Sequence, residues 1–218
     1  MDASRSESTP QDFGRDFYAT MGKRIFDAVL SFVALVVLLP LFVAVATLVK
    51  LSSPGEAFYR QERVGRGGRI FWIAKFRSMR TGADRCGAAI TSSGDPRITP
   101  IGRVLRRLKL DELPQLWNVL RGDMSLVGPR PEVPQYVELY TAAQRQVLSI
   151  RPGITDPASI SYRGEERLLA KQADPERYYR EVILPDKLKM NLEYLSHMSF
   201  LYDLSLVLRT TAVCLRVL

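Results

Sequence analysis

Two adjacent carboxylates, Asp111 and Glu112, lie in the most basic part of the sequence, directly after a run of arginines. A carboxylate at a helix N-terminus beside cations is held in its charged form by the helix dipole and by the opposite charges. An ionised carboxylate is a nucleophile, and the neighbouring cations remove the repulsion that an anionic phosphate would otherwise exert on it. The pair therefore indicates nucleophilic attack on a phosphate, aided by a divalent cation.

Two short helices are predicted to position this pair. Apolar residues upstream recur at i, i+3, i+4 and i+7, which is helical spacing: Ile101, Val104, Leu105 and Leu108. Pro114 suits only the first turn of a helix, so a second helix is predicted to begin near Asp111, with Asp111 as its N-cap. A capping aspartate beside a solvated Glu112 is the alternative, non-catalytic interpretation.

Residues 28–49 form an uncharged run of 22 residues, of which fifteen are Leu, Val or Phe. At helical rise this run is long enough to cross a hydrocarbon core, and these side chains favour insertion by roughly 5–9 kcal/mol. Pro40 predicts a kink near the middle. Basic residues flank both ends, so a re-entrant helix and a kinked spanning helix both remain open.

The formal net charge of +8 is concentrated between residues 56 and 130, where fifteen Lys and Arg stand against seven Asp and Glu. Such a distribution suits an anionic partner. No nucleic-acid-binding motif accompanies it, so a nucleic-acid partner is not expected. Cys86 and Cys214 are too few for a disulfide framework, and the single histidine, His197, argues against a histidine-dependent mechanism.

Residues 57–61 and 69–76 are rich in aromatic and β-branched residues and are separated by VGRGG, which predicts a β-hairpin. Lys75 and Arg77 at the end of its second strand are either a solvated edge or phosphate donors. Residues 84–100 contain Gly, Pro, Ser and Thr and are predicted to form a loop. Residues 133–147 are predicted to form a helix, and two more helices are predicted after residue 174.

The string DELPQLWNVLRGDMSLVGPRPE, residues 111–132, resembles the signature of the bacterial sugar transferase family, the monotopic polyprenol-phosphate phosphoglycosyl transferases. Further similar stretches are KRIFDAVLS, YRQERVGRGGRIFWIAKFRSMR and RPGIT. The resemblance implies transfer of a sugar 1-phosphate from a UDP-sugar to polyprenol (undecaprenyl) phosphate, with release of UMP. It implies that Asp111 carries the phospho-sugar covalently and that Glu112 assists.

The resemblance also implies a set of substrate-binding residues: Lys75, Arg77, Arg106, Gln115, Pro129, Arg130, Pro131 and Arg151. Mg²⁺ is the expected cofactor, with Asp111 and Glu112 as its ligands, because it neutralises diphosphate oxygens and needs only one or two carboxylates. After residue 155 the sequence departs from the pattern of many family members at Asp156, so the sugar is not predicted.

The resemblance implies that the membrane helix is re-entrant and the protein monotopic. With this, the expected architecture is an α+β, mainly helical monotopic membrane protein with a kinked re-entrant membrane helix, a small β-hairpin and amphipathic interfacial helices. The predicted divisions are a loose lead-in (1–21), the re-entrant membrane helix (22–51) and a cytoplasmic catalytic domain (52–218). The expected location is the cytoplasmic face of a bacterial inner membrane, with membrane lipid as a partner; a homo-oligomer remains open.

Two other functions remain open at this stage. One is a non-catalytic, membrane-anchored scaffold whose basic face binds an anionic partner with an affinity that falls steeply with salt. The other is a membrane glycosyl transferase that releases UDP instead of UMP. The sequence contains no Asp-x-Asp motif of the usual metal-nucleotide kind, which counts against the second.

Overall fold

The computed structural model describes residues 18–83, 90–91 and 94–215. Most of the predicted lead-in, part of the predicted loop over residues 84–100, and Cys86 lie outside the described residues. Where the lead-in is described it is not loose: Tyr18–Gly22 forms a π-helical turn, and the Tyr18 hydroxyl donates to Asp203 Oδ2 at 2.6 Å. The helical chain therefore begins before the predicted boundary at residue 22.

The predicted membrane segment forms two helices, α1 (Lys23–Val37) and α2 (Leu39–Ser52), bent by 64°. Pro40 stands in the first turn of α2, where its missing amide costs no helical hydrogen bond, so the predicted kink lies directly before it. Among the described residues no single helix is long and apolar enough to cross a bilayer, whereas this bent pair together has sufficient length and apolar composition. The pair exposes many large apolar side chains, including Val29, Phe32 and Val43.

Polar side chains attach the buried face of α1 to the rest of the chain. Asp27 Oδ1 accepts from Leu126 N at 3.0 Å, and Lys23 forms an ion pair with the fully buried Asp203. The Tyr194 hydroxyl donates to the other oxygen of Asp203 at 2.7 Å. Because several donors satisfy this buried carboxylate, the ion pair is tolerated in the interior.

The predicted hairpin is confirmed. Strands β1 (Phe58–Val64) and β2 (Ile70–Phe76) pair antiparallel, with Phe58 opposite Phe76 and Val64 opposite Ile70. The turn places Gly67 at φ 67° and Gly68 at φ 78°. This left-handed region is open to glycine at little steric cost, which explains the GG pair between the strands.

The central stretch forms the elements that carry the predicted site. In chain order these are α3 (Pro100–Arg107), a 3₁₀ turn (Leu110–Glu112), α4 (Gln115–Arg121) and strand β3 (Ser125–Val127). Strand β3 pairs parallel with β4 (Gly153–Thr155). A Cβ on Gly153 would lie 2.1 Å from Gly128 N, so the two segments approach this closely only because residue 153 is glycine.

The remaining helices surround these elements: α5 (Pro134–Val137), a 3₁₀ turn (Gln144–Ser149), α6 (Pro157–Ser161), α7 (Glu165–Leu169), α8 (Pro175–Tyr178), a π-helical turn (Tyr179–Ile183), α9 (Leu184–His197) and α10 (Phe200–Leu215). The two long C-terminal helices are confirmed. The continuous helix predicted over residues 133–147 is wrong, because α5 has only four residues and Gln144 Oε1 accepts from Thr141 N to start a separate turn.

Three apolar clusters hold the fold together. One lies beneath α9 and includes Tyr136, Leu169, Ile183 and Leu188. The second joins β2, α4 and α10 through Ile73, Leu116, Val119 and Leu206. The third joins α2, β2 and α3 through Val45, Val49, Phe76 and Leu105. The apolar flank of α3 therefore packs on α2, the second helix of the bent pair. The α+β, mainly helical fold class is confirmed.

Candidate active site

Thr99 and Gly102 fix α3 beside the end of β2. Thr99 Oγ1 accepts from Gly102 N at 3.0 Å and caps the helix. A Cβ on Gly102 would lie 1.9 Å from Ser78 O, so a side chain at residue 102 would prevent this contact. The first turn of α3 is thereby held against Ser78, three residues after Lys75.

The chain turns sharply between α3 and α4. Lys109 adopts a left-handed backbone conformation with φ 59°, which is uncommon for a residue other than glycine. The 3₁₀ turn Leu110–Glu112 follows, and α4 begins only after Pro114, with no side chain capping it. The prediction that Asp111 is an N-cap is therefore wrong, since this aspartate lies in the turn before the helix.

Asp111 is buried, with 4% of its surface exposed, and its Oδ1 has no hydrogen-bond partner among the described residues. Burial and the neighbouring Glu112 charge raise the pKa of Asp111, against the opposing charges of Lys75, Arg106 and Lys109. The prediction that its surroundings hold this group ionised is wrong in direction. Asp111 is therefore a carboxyl group whose Oδ1 forms no hydrogen bond to the described residues. Once it has lost its proton, it is a stronger base than an ordinary aspartate.

Glu112 is the charged member of the pair. Arg130 Nη1 donates to Glu112 Oε2 at 2.9 Å, and Arg130 Nη2 donates to the other oxygen, which is bidentate pairing. Burial raises the pKa of Glu112, but the charges of Arg130, Lys75 and Lys109, together with these hydrogen bonds, outweigh it and hold the pKa well below its usual range. The two adjacent carboxyl groups thus have opposite pKa shifts, as acid–base sites commonly do.

Lys75 approaches the pair from β2. Its Nζ lies 4.0 Å from Glu112 Oε1, and 19% of its side chain is exposed. Burial lowers the pKa of Lys75 to about 7, with the Arg130 and Arg63 charges adding to this effect and the Glu112 charge opposing it. Lys75 therefore gains or loses its proton near neutral pH, and it interacts with an anionic substrate most strongly below that value.

Arg106 and Gln115 flank the carboxylates. Arg106 Nη2 donates to Glu166 on α7, while its buried Nε has no partner in the described part of the chain. Gln115, the first residue of α4, is fully buried, and neither atom of its amide group has a partner among the residues described. Unpaired buried polar groups are costly, so an amide in this state beside Asp111 is suited to bind a polar ligand.

The Pro129–Pro131 loop is held at three points. Pro129 O accepts from Gly153 N at 3.0 Å, Pro131 O accepts from Arg63 Nη1 at 3.1 Å, and Arg130 N donates to Asp156 Oδ2 at 2.9 Å. These bonds direct the Arg130 side chain to Glu112. The sequence did not predict the roles of Arg63 and Asp156, because only the fold brings them to this loop.

Arg77 and Arg151, both predicted to bind substrate, bond to the backbone instead. Arg77 Nη2 donates to Ser53 O at 2.7 Å and to Val49 O at 3.2 Å, at the end of α2. Arg151 Nε donates to Gly122 O at 2.9 Å, at the opposite end of α4 from Asp111. The structure does not bring these two arginines into the group around Asp111, and their substrate-binding role remains a prediction.

Comparison with known proteins identifies the family of this chain. The family profile described as bacterial sugar transferase matches residues 18–217. The chain belongs to the bacterial sugar transferase family. In this family member the adjacent carboxylates, Arg130 of the Pro129–Pro131 loop and Lys75 meet in one place, and their catalytic and substrate-binding roles remain predictions.

Individual relatives of this sugar transferase are also similar over most of the chain. The exopolysaccharide production protein ExoY of Sinorhizobium fredii is 38% identical over 211 residues, covering 89% of this chain and 86% of the relative. A UDP-glucose:undecaprenyl-phosphate glucose-1-phosphate transferase of Xanthomonas campestris is 39% identical over 202 residues, covering 90% of this chain and 39% of the relative.

A UDP-N-acetylgalactosamine-undecaprenyl-phosphate N-acetylgalactosaminephosphotransferase of Aeromonas hydrophila is 37% identical over 193 residues, covering 86% of this chain and 42% of the relative. The sugar transferase chain therefore spans most of ExoY but less than half the length of the other two relatives.

The site of this transferase fits the expected Mg²⁺ only as an ion that substrate phosphates also help to bind. No group of three or more His, Cys, Asp or Glu residues in the described ranges is arranged to hold a metal ion. Both oxygens of Glu112 accept from Arg130, whereas no residue that the structure describes is a hydrogen-bond partner of Asp111 Oδ1. Since Mg²⁺ commonly binds through one or two carboxylates together with substrate phosphates, the residues fit an ion that arrives with a diphosphate rather than a preformed metal site.

Proposed function

We propose that this transferase moves a sugar 1-phosphate from a UDP-sugar to undecaprenyl phosphate and releases UMP. One observation carries the proposal: the buried Oδ1 of Asp111 has no hydrogen-bond partner among the described residues, and the charges of Lys75, Arg106 and Lys109 act on this carboxyl group. Relatives named for undecaprenyl-phosphate sugar 1-phosphate transfer support the reaction class.

In the first displacement, an Asp111 oxygen attacks the β-phosphorus of the donor, which bears the sugar. The bond from this phosphorus to the bridging oxygen breaks, the bridging oxygen leaves with UMP, and an aspartyl phospho-sugar remains. Because Asp111 Oδ1 is buried and has no hydrogen-bond partner in the described part of the chain, this oxygen does not have to lose bound water before it attacks.

In the second displacement, a phosphate oxygen of undecaprenyl phosphate attacks the same phosphorus. The bond to Asp111 breaks, its carboxylate is regenerated, and the product is an undecaprenyl diphosphate sugar. Two such steps at one phosphorus require that the same cations stabilise charge in both transition states.

The surrounding residues divide this work. Lys75 and Arg106, which come from different elements and whose charges both oppose the raised pKa of Asp111, neutralise the phosphate oxygens. Glu112 stays ionised in its Arg130 pair and raises the basicity of Asp111. Gln115 offers an unpaired amide to a polar group of the substrate. The Pro129–Pro131 loop fixes Arg130 so that this arrangement exists before substrate binds.

Mg²⁺ belongs to the proposal as an ion that Asp111 and the donor diphosphate would hold together. When bound, it neutralises diphosphate oxygens and the charge of the leaving group. Glu112, the second predicted ligand, would have to leave Arg130 to bind it.

We further propose that the bent pair α1–α2 enters and leaves the cytoplasmic leaflet of a bacterial inner membrane, with the catalytic part on the cytoplasmic face. Lys23 and Lys50 then lie on the same side. Because α3 packs on α2, the site lies near the membrane surface, where the polyprenol phosphate group is found. Two relatives named for exopolysaccharide production suggest that the product starts a surface glycan.

The test uses the full chain in detergent or membranes, undecaprenyl phosphate and a panel of UDP-sugars, each labelled in the sugar. We expect UMP as the nucleotide product and transfer of label to the protein when the polyprenol is omitted. Asp111→Asn should lower turnover by about 10³-fold or more and abolish protein labelling.

The matched control is Asp123→Asn, which neutralises a partly exposed aspartate two residues after α4 without touching the site. It should retain both activities. Release of UDP would indicate an ordinary glycosyl transferase, and anion binding that is indifferent to Asp111→Asn would indicate the scaffold; either result rejects the proposal.

A further inference from the structure

Asn118 joins the helix that follows the carboxylates to the strand that carries Lys75. It lies on α4, one turn after Gln115, and only 3% of it is exposed. Its Oδ1 accepts from Ala74 N at 2.9 Å, and its Nδ2 donates to Trp72 O at 2.8 Å. Both atoms of the amide are therefore used on β2.

These two hydrogen bonds take the place of those that a further strand beside β2 would form. Strand β2 pairs with β1 along one edge, and within the described residues no strand pairs with its other edge. Trp72 O and Ala74 N point towards that second edge, where the Asn118 amide supplies the donor and the acceptor that a neighbouring strand would supply. Among side chains of this size only asparagine offers both, since aspartate has no donor when ionised and leucine has neither.

The same residue also ends the helix. The carbonyl oxygen of Asn118 accepts from Gly122 N at 3.1 Å, Asp123 N at 3.0 Å and Met124 N at 3.2 Å. Its backbone is thereby fixed to the turn that leads into β3, while its side chain is fixed to β2. A shift of Asn118 would move strand and helix relative to each other.

The consequence for the site follows from chain order. Lys75 is the residue after Ala74, and α4 is preceded by Asp111 and Glu112. The separation of Lys75 Nζ from Glu112 Oε1, 4.0 Å, therefore depends on how β2 sits against α4. We propose that Asn118 is a positioning residue that sets the distance between Lys75 and the Asp111–Glu112 pair. Its importance for turnover rests on the function proposed above.

The structure favours this role over one of fold stability alone. Ile73, Leu116 and Val119 belong to one apolar cluster that also holds β2 on α4, so the amide is not the sole attachment between these two elements. Such contacts are non-directional and permit small sliding. Two hydrogen bonds of fixed geometry define one position along the strand, and misplacement by about 1 Å can cost about a hundredfold in rate.

The test compares Asn118→Asp and Asn118→Leu with Leu206→Ala. The first keeps the size and the acceptor but removes the donor; the second keeps the approximate size and removes both. Leu206, 2% exposed on α10, belongs to the same apolar cluster, so its truncation destabilises the fold while leaving both hydrogen bonds from Asn118 to β2 in place. The full chain in detergent is used throughout.

Two measurements are made on each variant. The first is the rate of reductive methylation of Lys75 by formaldehyde and cyanoborohydride against pH, followed by mass spectrometry, which reports the Lys75 pKa and needs no turnover. The second is kcat and KM for UMP release. In the wild type, slow hydrogen exchange at the Ala74 amide checks the Asn118 bond even if both variants fail to fold.

Both Asn118 variants should lower kcat by about tenfold or more, while KM changes by less than about threefold. They should also move the Lys75 methylation midpoint upward by more than about one pH unit, as the lysine becomes hydrated. Leu206→Ala should lower the melting temperature but leave the midpoint unchanged. An unchanged midpoint in Asn118→Leu, or an Ala74 amide that exchanges like a free peptide, overturns the proposal. Absence of UMP release in the wild type would instead reject the proposed function, since methylation and exchange are read without turnover.

Discussion

Two groups of arginines in this chain differ in what their guanidinium groups face. Around Asp111, Arg106 and Arg130 pair with carboxylates, Glu166 and Glu112. At the ends of α2 and α4, Arg77 and Arg151 donate to backbone carbonyl oxygens. The first group is available to anions that displace or join a carboxylate. The second satisfies carbonyl groups that a helix C-terminus leaves without partners, and it therefore serves the fold.

The largest effect that would sharpen this contrast is expected for Arg130→Leu. Glu112 would lose both donors and keep only the more distant Lys75 Nζ, 4.0 Å from its Oε1, which costs about 2–4 kcal/mol of stability after allowance for the partial exposure of Arg130. We expect kcat/KM for UMP release to fall by about a hundredfold or more. Arg121→Leu, which removes a more exposed arginine paired with Asp123, is the control and should have little effect. Equal losses in both variants would contradict a special role for Arg130.

A smaller effect is expected for Arg106→Gln. The glutamine carries no charge and is too short to replace the guanidinium group that donates to Glu166, so phosphate binding weakens and kcat/KM falls by about tenfold or more. Melting temperature should change little, because the Arg106–Glu166 pair is partly exposed. Steady-state kinetics and a thermal scan on the same preparation separate the two quantities. A large loss of stability with unchanged kinetics would place Arg106 in the structural group.

The pH dependence of kcat/KM tests the carboxylate group without any mutation. The rate should fall at low pH as Asp111 takes up a proton, with a midpoint above that of an ordinary aspartate because its pKa is raised. It should also fall at high pH as Lys75 loses its proton, near its pKa of about 7.

Lys75→Arg supplies the control for this profile, since arginine stays charged throughout. In this variant the fall of kcat/KM at high pH should move to a higher pH or disappear, whatever the absolute rate of the variant. A high-pH limb that stays in place would assign that limb to another group.

The smallest kinetic effect is expected for Arg77→Lys. Lysine cannot reach several carbonyl oxygens at once, so Val49 O, Ser53 O and Pro54 O would lose donors and stability would fall by about 1–3 kcal/mol. KM for the UDP-sugar should stay within about twofold of wild type. Thermal unfolding and KM are measured together. A tenfold rise in KM with unchanged stability would support the predicted substrate-binding role of Arg77 and would contradict the difference between the two arginine groups.

The sequence alone predicted much of this fold because its signals are local. Pro40 within an uncharged run indicated the bend, and glycines between two β-branched segments indicated the hairpin. The helix predicted over residues 133–147 failed because the side chains of Thr141 and Gln144 each accept from the backbone N–H of the other and start a new turn, which the apolar pattern does not reveal.

For the site, the sequence determined which residues are present: two adjacent carboxylates, the nearby cations and the Pro129–Pro131 loop. Only the tertiary structure decided that Asp111 is the group with the raised pKa and Glu112 the charged one, because burial and the Arg130 contact are properties of the fold. It also decided that Arg77 bonds to the end of α2 and that Asn118 connects β2 to α4. Charge and spacing along a chain are local quantities, whereas desolvation and pairing depend on segments that are distant in sequence and meet in space.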